Sequence, residues 1–160
     1  MDDQQERLEI ENWITGFTDG EGCFSVSLIK NKTTTSGWQL FPEFVITQGS
    51  KSLPALKLIQ NYFKCGKLFI NVRHDNHREH LYRYCVRSLN ELKEIIVPFF
   101  RKSKLRTYKR NDFEIFSKII ELMHRKVHLK EKGMIKIVRL IETMNRKKKS
   151  RYLKSSETKR

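Results

Sequence analysis

The residues best suited to metal binding or catalysis form a run of acids and glycines, Asp-Gly-Glu-Gly, at positions 19–22. Carboxylate oxygens are preferred ligands of hard cations, and Mg²⁺ is usually held by one or two carboxylates together with substrate phosphate. Such an ion stabilises charge on phosphoryl oxygens and activates water for phosphodiester hydrolysis. Glu21, which lies between two glycines that permit close backbone approach, is therefore the candidate metal ligand.

The element that positions this carboxylate is a helix predicted over residues 8–19. Apolar residues recur at helical spacing and predict a buried stripe of Ile10, Trp13, Ile14 and Phe17. Gly16 and Gly20 are four residues apart on the other side, a spacing that lets a second helix approach closely. The predicted partner-facing set is Asn12, Thr15, Gly16, Asp19 and Gly20. Within it, Asp19 is expected to be structural, because an acid at a helix C-terminus needs a partner to offset the helix dipole.

The charge of the chain indicates a polyanionic partner. The net charge is +15, and residues 101–160 hold twenty-one Lys or Arg against six Asp or Glu. No segment combines basic charge with a broad apolar helical face, and no apolar run approaches the roughly 20 residues that a bilayer span needs. Nucleic acid is therefore favoured over a membrane surface.

The remaining pattern alternates strands and helices. Alternating apolar residues predict strands at about 22–29 and 39–48, with Pro42 indicating an edge or a bulge, and a second hairpin follows a helix at 52–63. Three more helices are predicted over about 89–100, 111–124 and 131–145. The order predicts an α+β fold in which helices cover one face of an antiparallel four-stranded sheet. The residues expected to face the helices are Phe24, Val26, Leu28, Phe44, Ile46, Leu68, Ile70, Val72, Tyr82, Tyr84 and Val86.

The opposite sheet face is expected to contact DNA. A ten-residue strand spans roughly 33 Å, about one turn of duplex, so a twisted sheet can follow a major groove. Strand alternation puts polar and cationic side chains on this face. With two lysines at the first hairpin turn, the predicted DNA-contacting residues are Ser25, Ser27, Lys30, Lys32, Val45, Thr47, Asn71, Arg73, Arg83 and Arg87.

Length and composition predict one domain over residues 1–145 and a basic, mobile tail over 146–160. Three widely spaced cysteines and an N-terminus without a targeting pattern indicate a reducing, intracellular setting. The compartment would be a chloroplast or mitochondrion in a eukaryote and the cytoplasm or nucleoid in a prokaryote. Histidines 74, 77 and 80 recur every third position, but without a cysteine pair DNA or solvent contacts are favoured over zinc.

The segment Ile14-Thr15-Gly16-Phe17-Thr18-Asp19-Gly20-Glu21-Gly22 resembles the signature of the LAGLIDADG homing endonucleases. Residues 42–48, 97–100 and 109–113 resemble further family segments at the expected distances, so the resemblance covers about residues 8–145. It implies an αββαββα-type LAGLIDADG core whose sheet forms a DNA-binding saddle. Only one copy of the motif is present, which implies a homodimer that pairs through the motif helices.

The resemblance also implies roles for individual residues. The metal-binding acid would be Glu21, with the Gly20 carbonyl as a further ligand, and Mg²⁺ would be the cofactor with Mn²⁺ as a plausible substitute. Gln48 matches the polar residue that orients a water, and Lys109 matches the active-site lysine, although Lys104 is close. A family arginine after the glutamine has no counterpart here, and Lys51 is the nearest cation.

These features predict a homodimeric, Mg²⁺-dependent, site-specific double-strand DNA endonuclease that is intron-encoded, cuts a long pseudo-palindromic target and promotes intron mobility. Two alternatives stay open at this stage. One is a maturase that binds RNA to assist intron splicing, since the sequence carries no mark against RNA. The other is a DNA-binding protein that has lost cleavage, although retention of both Asp19 and Glu21 argues against it.

Overall fold

The computed structural model describes residues 3–72, 79–144 and 152. Helix α1 (Asp3–Glu21) leads into strands β1 (Gly22–Lys30) and β2 (Trp38–Gly49), followed by helix α2 (Leu53–Phe63) and strands β3 (Lys67–Asn71) and β4 (Leu81–Val86). The chain continues through α3 (Leu89–Glu91), a π-helical stretch (Leu92–Ile96), α4 (Val97–Lys102), α5 (Lys109–His124) and α6 (Glu131–Glu142). The predicted α+β class and element order are confirmed.

The four strands form one antiparallel sheet in the order β1-β2-β4-β3. The prediction from Pro42 of an edge or a bulge is wrong, because β2 lies inside the sheet and its register with β1 is continuous. Pro42 pairs with Val26 of β1, while β4 pairs with β2 only from Phe44 onward. Proline therefore lies on the half of β2 that has only one neighbour, where it is tolerated better than between two paired strands.

The helix layer packs on the sheet through a cluster of aromatic rings. Phe24 of β1 lies 5.0 Å from Phe44 of β2 between ring centroids, and within 5.2 to 5.4 Å of Phe100, Phe113 and Phe116 on the helices. All five rings are almost fully buried. This core fixes the inner face of the sheet and leaves the outer face to other contacts.

Two of the residues predicted to face the helices are exposed. Ile70 near the end of β3 and Val72 just after it are 51% and 46% exposed, whereas Leu68 near its start packs against the core. Because β3 is a short edge strand, its far end extends beyond the helix layer. The prediction holds for Phe24, Val26, Phe44, Ile46, Tyr84 and Val86, which are buried, and for Leu28 and Tyr82, which are partly buried against the core.

The helix predicted over 89–100 continues to Lys102 and contains the π-helical stretch. Pro98 follows this stretch in the first turn of α4. A proline ring has no N–H to donate and clashes with the carbonyl four residues earlier, so the wider π geometry relieves the contact within a continuous helix.

Most of the predicted tail, residues 146–160, lies outside the described residues. The exception is Tyr152, which is buried and lies edge-on to Trp38 at 6.0 Å between ring centroids. Among the described residues, no helix has the length and apolar character needed to cross a bilayer.

Candidate active site and nucleic-acid interface

Glu21 is the last residue of α1, and Gly22 begins β1 without an intervening loop. A Cβ atom at Gly22 would lie 2.6 Å from the Thr18 Cγ2 and 2.9 Å from the Thr18 carbonyl oxygen. Only glycine fits this junction without movement of the helix end, because the second contact is with backbone. Gly22 thus allows the chain to turn directly from helix to strand and holds the Glu21 carboxylate, which is exposed, at the helix tip.

Gln48 lies beside Glu21, as the sequence predicts. The register pairs Gly22 with Ile46, so the end of β2 reaches the tip of α1. The Gln48 Nε2 donates a hydrogen bond to the Glu21 Oε2 at 3.1 Å. This contact orients the carboxylate, and its other oxygen has no hydrogen bond to the described residues.

Lys109, the first residue of α5, reaches the same helix end. Its Nζ donates to the carbonyl oxygens of Thr18, Asp19 and Gly20 at 2.8, 2.9 and 3.2 Å. These carbonyls have no partner within the helix, and an ammonium there complements the helix dipole. Burial lowers the pKa of Lys109 below its ordinary value, although the nearby Asp19 carboxylate acts in the opposite direction. Lys104 makes no such contact within the described chain, so the geometry favours Lys109.

Asp19 accepts hydrogen bonds from the segment that leads into α5. Its Oδ2 accepts from the Arg106 backbone N–H at 2.6 Å, and its Oδ1 accepts from the Thr107 Oγ1 at 2.6 Å. Burial acts to raise the pKa of Asp19, but these hydrogen bonds outweigh it and hold the pKa below its ordinary value. The contacts fit the supporting role expected for Asp19. They also mean that its carboxylate is used within its own chain, whereas the sequence predicted it at a partner interface.

The α1 surface expected to meet a partner is otherwise open. A Cβ atom at Gly16 or Gly20 would have no atom within 4 Å. Asn12 is exposed, and Thr15 is half-buried with its Oγ1 donating to the Glu11 carbonyl at 2.7 Å.

The prediction that Trp13 belongs to the core is wrong, because it is 38% exposed and stacks on Phe17 at 5.1 Å. Glu11, Ile14 and Thr18 form the buried face of α1 instead. Burial of Glu11, which the hydrophobic pattern could not show, is compensated by hydrogen bonds from Tyr62 at 2.8 Å and Lys102 at 2.9 Å.

A divalent cation at this site would have Glu21 as its acidic ligand. Among the described residues there is no group of three or more His, Cys, Asp or Glu side chains that could hold a metal ion. The donors that one chain offers here are the exposed Glu21 carboxylate and the Gly20 carbonyl, both hard oxygen ligands that suit Mg²⁺. His74 and His77 lie outside the described residues.

The outer sheet face carries polar and cationic residues predicted for it, together with apolar ones. Strand register places Ser25, Ser27, Thr47, Asn71 and Arg83 on this face. Ser27 and Asn71 are exposed, and the other three are half-buried. Arg73 lies outside the described residues.

Four predicted DNA contacts need separate description. Val45 is only 9% exposed, so its prediction as a contact is wrong. Arg83 lies opposite Thr47 but bonds to Glu43, so its side chain passes over the pair formed by Val45 and Cys85. Lys30 pairs with Trp38 at the end of the sheet with its Nζ 5.7 Å from that ring, and Lys32 is exposed in the turn.

The family model described as LAGLIDADG endonuclease matches residues 14–120. A probable intron-encoded endonuclease of Neurospora crassa is 32% identical over 129 residues, which cover 81% of this chain and 26% of the relative. The homing endonuclease I-ApeII of Aeropyrum pernix is 32% identical over 72% of this chain and 65% of its own length. The chain spans about a quarter of the length of this relative and of two other fungal relatives.

Solved structures give the same result. The crystal structure of the homing endonuclease I-TnaI superposes with a TM-score of 0.79 at 35% identity, covering 94% of this chain and 97% of that one. I-SmaMI, bound to its uncleaved DNA target with calcium, superposes with a TM-score of 0.81 at 33% identity. That match covers 92% of this chain and 48% of I-SmaMI.

Proposed function

Because the chain belongs to the LAGLIDADG endonuclease family, we propose that it is a homodimeric, site-specific DNA endonuclease that uses a divalent cation, with Mg²⁺ as the physiological ion and Mn²⁺ as a substitute. The observation that carries the proposal is the convergence of Glu21, Gln48 and Lys109 at the tip of α1. These residues come from three separate elements, and hydrogen bonds join them to one helix end.

Each side chain has a distinct task at this tip. Glu21, with the Gly20 carbonyl, would hold the cation, which supplies charge stabilisation on the phosphoryl oxygens and lowers the pKa of water. Gln48 fixes the orientation of the Glu21 carboxylate and has an amide group to position a water. Lys109 holds the carbonyls of the helix end in place and brings a positive charge beside the site, where it stabilises the negative charge of a scissile phosphate.

A dimer supplies what one chain lacks. One subunit offers a single acid at the tip, whereas two subunits paired through α1 would offer two Glu21 carboxylates close to the two-fold axis, one for each DNA strand. The open surface at Gly16 and Gly20 supports pairing through this helix, since small residues let helix backbones approach closely. The match to the homing endonuclease I-TnaI, which covers 94% of this chain and 97% of that one, supports a unit of this size.

The proposal includes the biological setting. Relatives are named intron-encoded endonucleases, so we assign this chain to cleavage of a long pseudo-palindromic target that promotes intron mobility. An intracellular location follows, in an organelle of a eukaryote or in the cytoplasm or nucleoid of a prokaryote.

The test is cleavage of a randomised duplex library with and without Mg²⁺. Wild-type protein is expected to cut a small set of related sequences, and Glu21→Gln is expected to bind the same set without cutting. Glu114→Gln removes an equal charge from an exposed position on α5 and serves as the matched control, which should cut like wild type. If wild type leaves every duplex intact and binds structured RNA tightly, the endonuclease proposal fails and the maturase alternative replaces it.

A further inference from the structure

Glu43 is an acid on the outer sheet face, which also carries polar, cationic and apolar side chains. It lies on β2 and is only 8% exposed. Its Oε1 accepts a hydrogen bond from the Arg83 Nη2 at 2.8 Å, and its Oε2 accepts one from the Arg87 Nε at 2.5 Å. One carboxylate therefore holds two of the cations that the sequence predicts as DNA contacts.

Arg87 is fixed on further sides by aromatic rings. The centre of its guanidinium lies 5.3 Å from the Phe41 ring and 4.8 Å from the Phe69 ring. Phe41 comes from β2 and Phe69 from β3, the two strands that flank β4. With Nε bound to Glu43 and its planar group between the two rings, Arg87 keeps both terminal nitrogens free of hydrogen bonds to the described residues.

This arrangement favours bases over phosphates as the ligand. An arginine fork with two parallel N–H groups matches the O6 and N7 acceptors of guanine in the major groove. Glu43 offsets one of the two arginine charges, so the cluster attracts a phosphate less strongly than two unpaired arginines would, and the acid discourages the sequence-independent contact. An arginine whose guanidinium group is already fixed in the free protein also loses less conformational entropy when it binds DNA.

We propose that Glu43 is a positioning residue that orients Arg83 and Arg87 to read guanines at neighbouring base pairs of the target. Both guanidinium groups contact oxygens of the same carboxylate, Arg83 through Nη2 and Arg87 through Nε, so the two groups lie close together and reach adjacent positions. The inference rests on the proposed function, because it assigns sequence readout to the same DNA-binding sheet.

The experiment measures the sequence preference of binding, not cleavage, in a randomised duplex library at fixed salt. Wild type is expected to prefer guanine about ten- to hundredfold at two neighbouring positions in each half-site, the discrimination that a bidentate contact provides. Glu43→Gln is expected to lower that preference about tenfold and to strengthen binding to an unrelated duplex. Glu114→Gln, with the same change of charge on the helix side, should leave the preference unchanged.

A second variant tests whether the planar guanidinium group of Arg87 is needed, or only its positive charge. Arg87→Lys retains the positive charge but not the planar pair of donors, so guanine preference should fall at one position while non-specific affinity persists. It also tests the inference if Glu43→Gln fails to fold, a failure that thermal unfolding would reveal.

The outcomes distinguish the two proposals. An unchanged sequence profile in folded Glu43→Gln and Arg87→Lys overturns this inference and leaves the endonuclease proposal standing. A uniform loss of affinity across all sequences does the same, because it assigns the cluster a structural or phosphate-anchoring role. A wild-type protein without any sequence preference overturns the proposed function and this inference with it.

Discussion

Gly22→Ala tests whether the direct junction between α1 and β1 holds the site together. The added Cβ would lie 2.6 Å from the Thr18 Cγ2, 2.9 Å from the Thr18 carbonyl oxygen and 3.2 Å from the Thr18 Cα. A side chain could move from the first contact, but the other two are backbone of a buried residue. We expect a loss of about 1–3 kcal/mol in the free energy of unfolding, the usual cost of overpacking a well-packed site.

Gly20→Ala is the matched control, two residues earlier in the same motif. A Cβ atom there meets nothing within 4 Å, and alanine within a helix is favoured over glycine by up to about 1 kcal/mol. The stability of the monomer should therefore stay constant or rise.

Thermal unfolding of both variants at low protein concentration measures the difference. For a chain of 160 residues, each kcal/mol shifts the Tm by roughly 2–4 °C, so Gly22→Ala should melt roughly 2–12 °C below wild type. Equal Tm values for wild type and Gly22→Ala, or an equal loss in Gly20→Ala, would refute the argument that this junction requires glycine.

Three further predictions concern pairing, acid stability and the catalytic lysine. Gly16→Leu should fold like wild type but sediment as a monomer, because a bulky side chain blocks close helix approach; a dimeric variant, or a monomeric wild type, contradicts the shared-axis arrangement. Several contacts lower the pKa of Glu11, and the hydrogen bond from Lys102 has the largest effect. The ionised Glu11 therefore stabilises the fold at pH values above the ordinary carboxyl pKa, and this stabilisation is lost as pH falls through the lowered pKa. Glu11→Gln should thus have a free energy of unfolding about 1–2 kcal/mol below wild type at pH 7. In denaturant titrations its stability should fall less steeply toward pH 3 than that of wild type, and an equally steep fall would contradict this assignment. Lys109→Ala should reduce cleavage at least about a hundredfold with its target preference retained, whereas Lys104→Ala should cleave nearly as well as wild type; the reverse order would identify Lys104 as the active-site lysine.

The sequence predicted the sheet from the alternation of apolar and polar residues along the strands, and the structure confirms it. Phe24 and Val26 on β1, and Phe44 and Ile46 on β2, are all buried against the helices, as period-two spacing indicates. The errors arise where a neighbouring element decides the environment. Ile70 follows the same alternation but lies on an edge strand beyond the helices, which no local pattern records.

The sequence predicted which residues form the candidate site, but it did not predict the hydrogen bonds that they make. The acid-glycine motif located Glu21, and the family resemblance located Gln48 and Lys109. Spacing along the chain could not show that Lys109 bonds to three carbonyls at the end of α1, because those partners are about 90 residues away. Glu43 is not among the residues predicted for the site, because its role depends on cross-strand partners that no local pattern records.

The absence of a loop between α1 and β1 has a consequence for how target sites can diverge. In the proposed dimer, α1 lies at the two-fold axis and β1 belongs to the sheet that contacts DNA. Because no loop separates them, the helix and the sheet can move only as one rigid unit. The crossing angle of the paired helices then fixes the rotational phase between the two half-sites along the duplex. Substitutions on the sheet can change which bases are preferred, but the spacing between half-sites can change only if the helices repack.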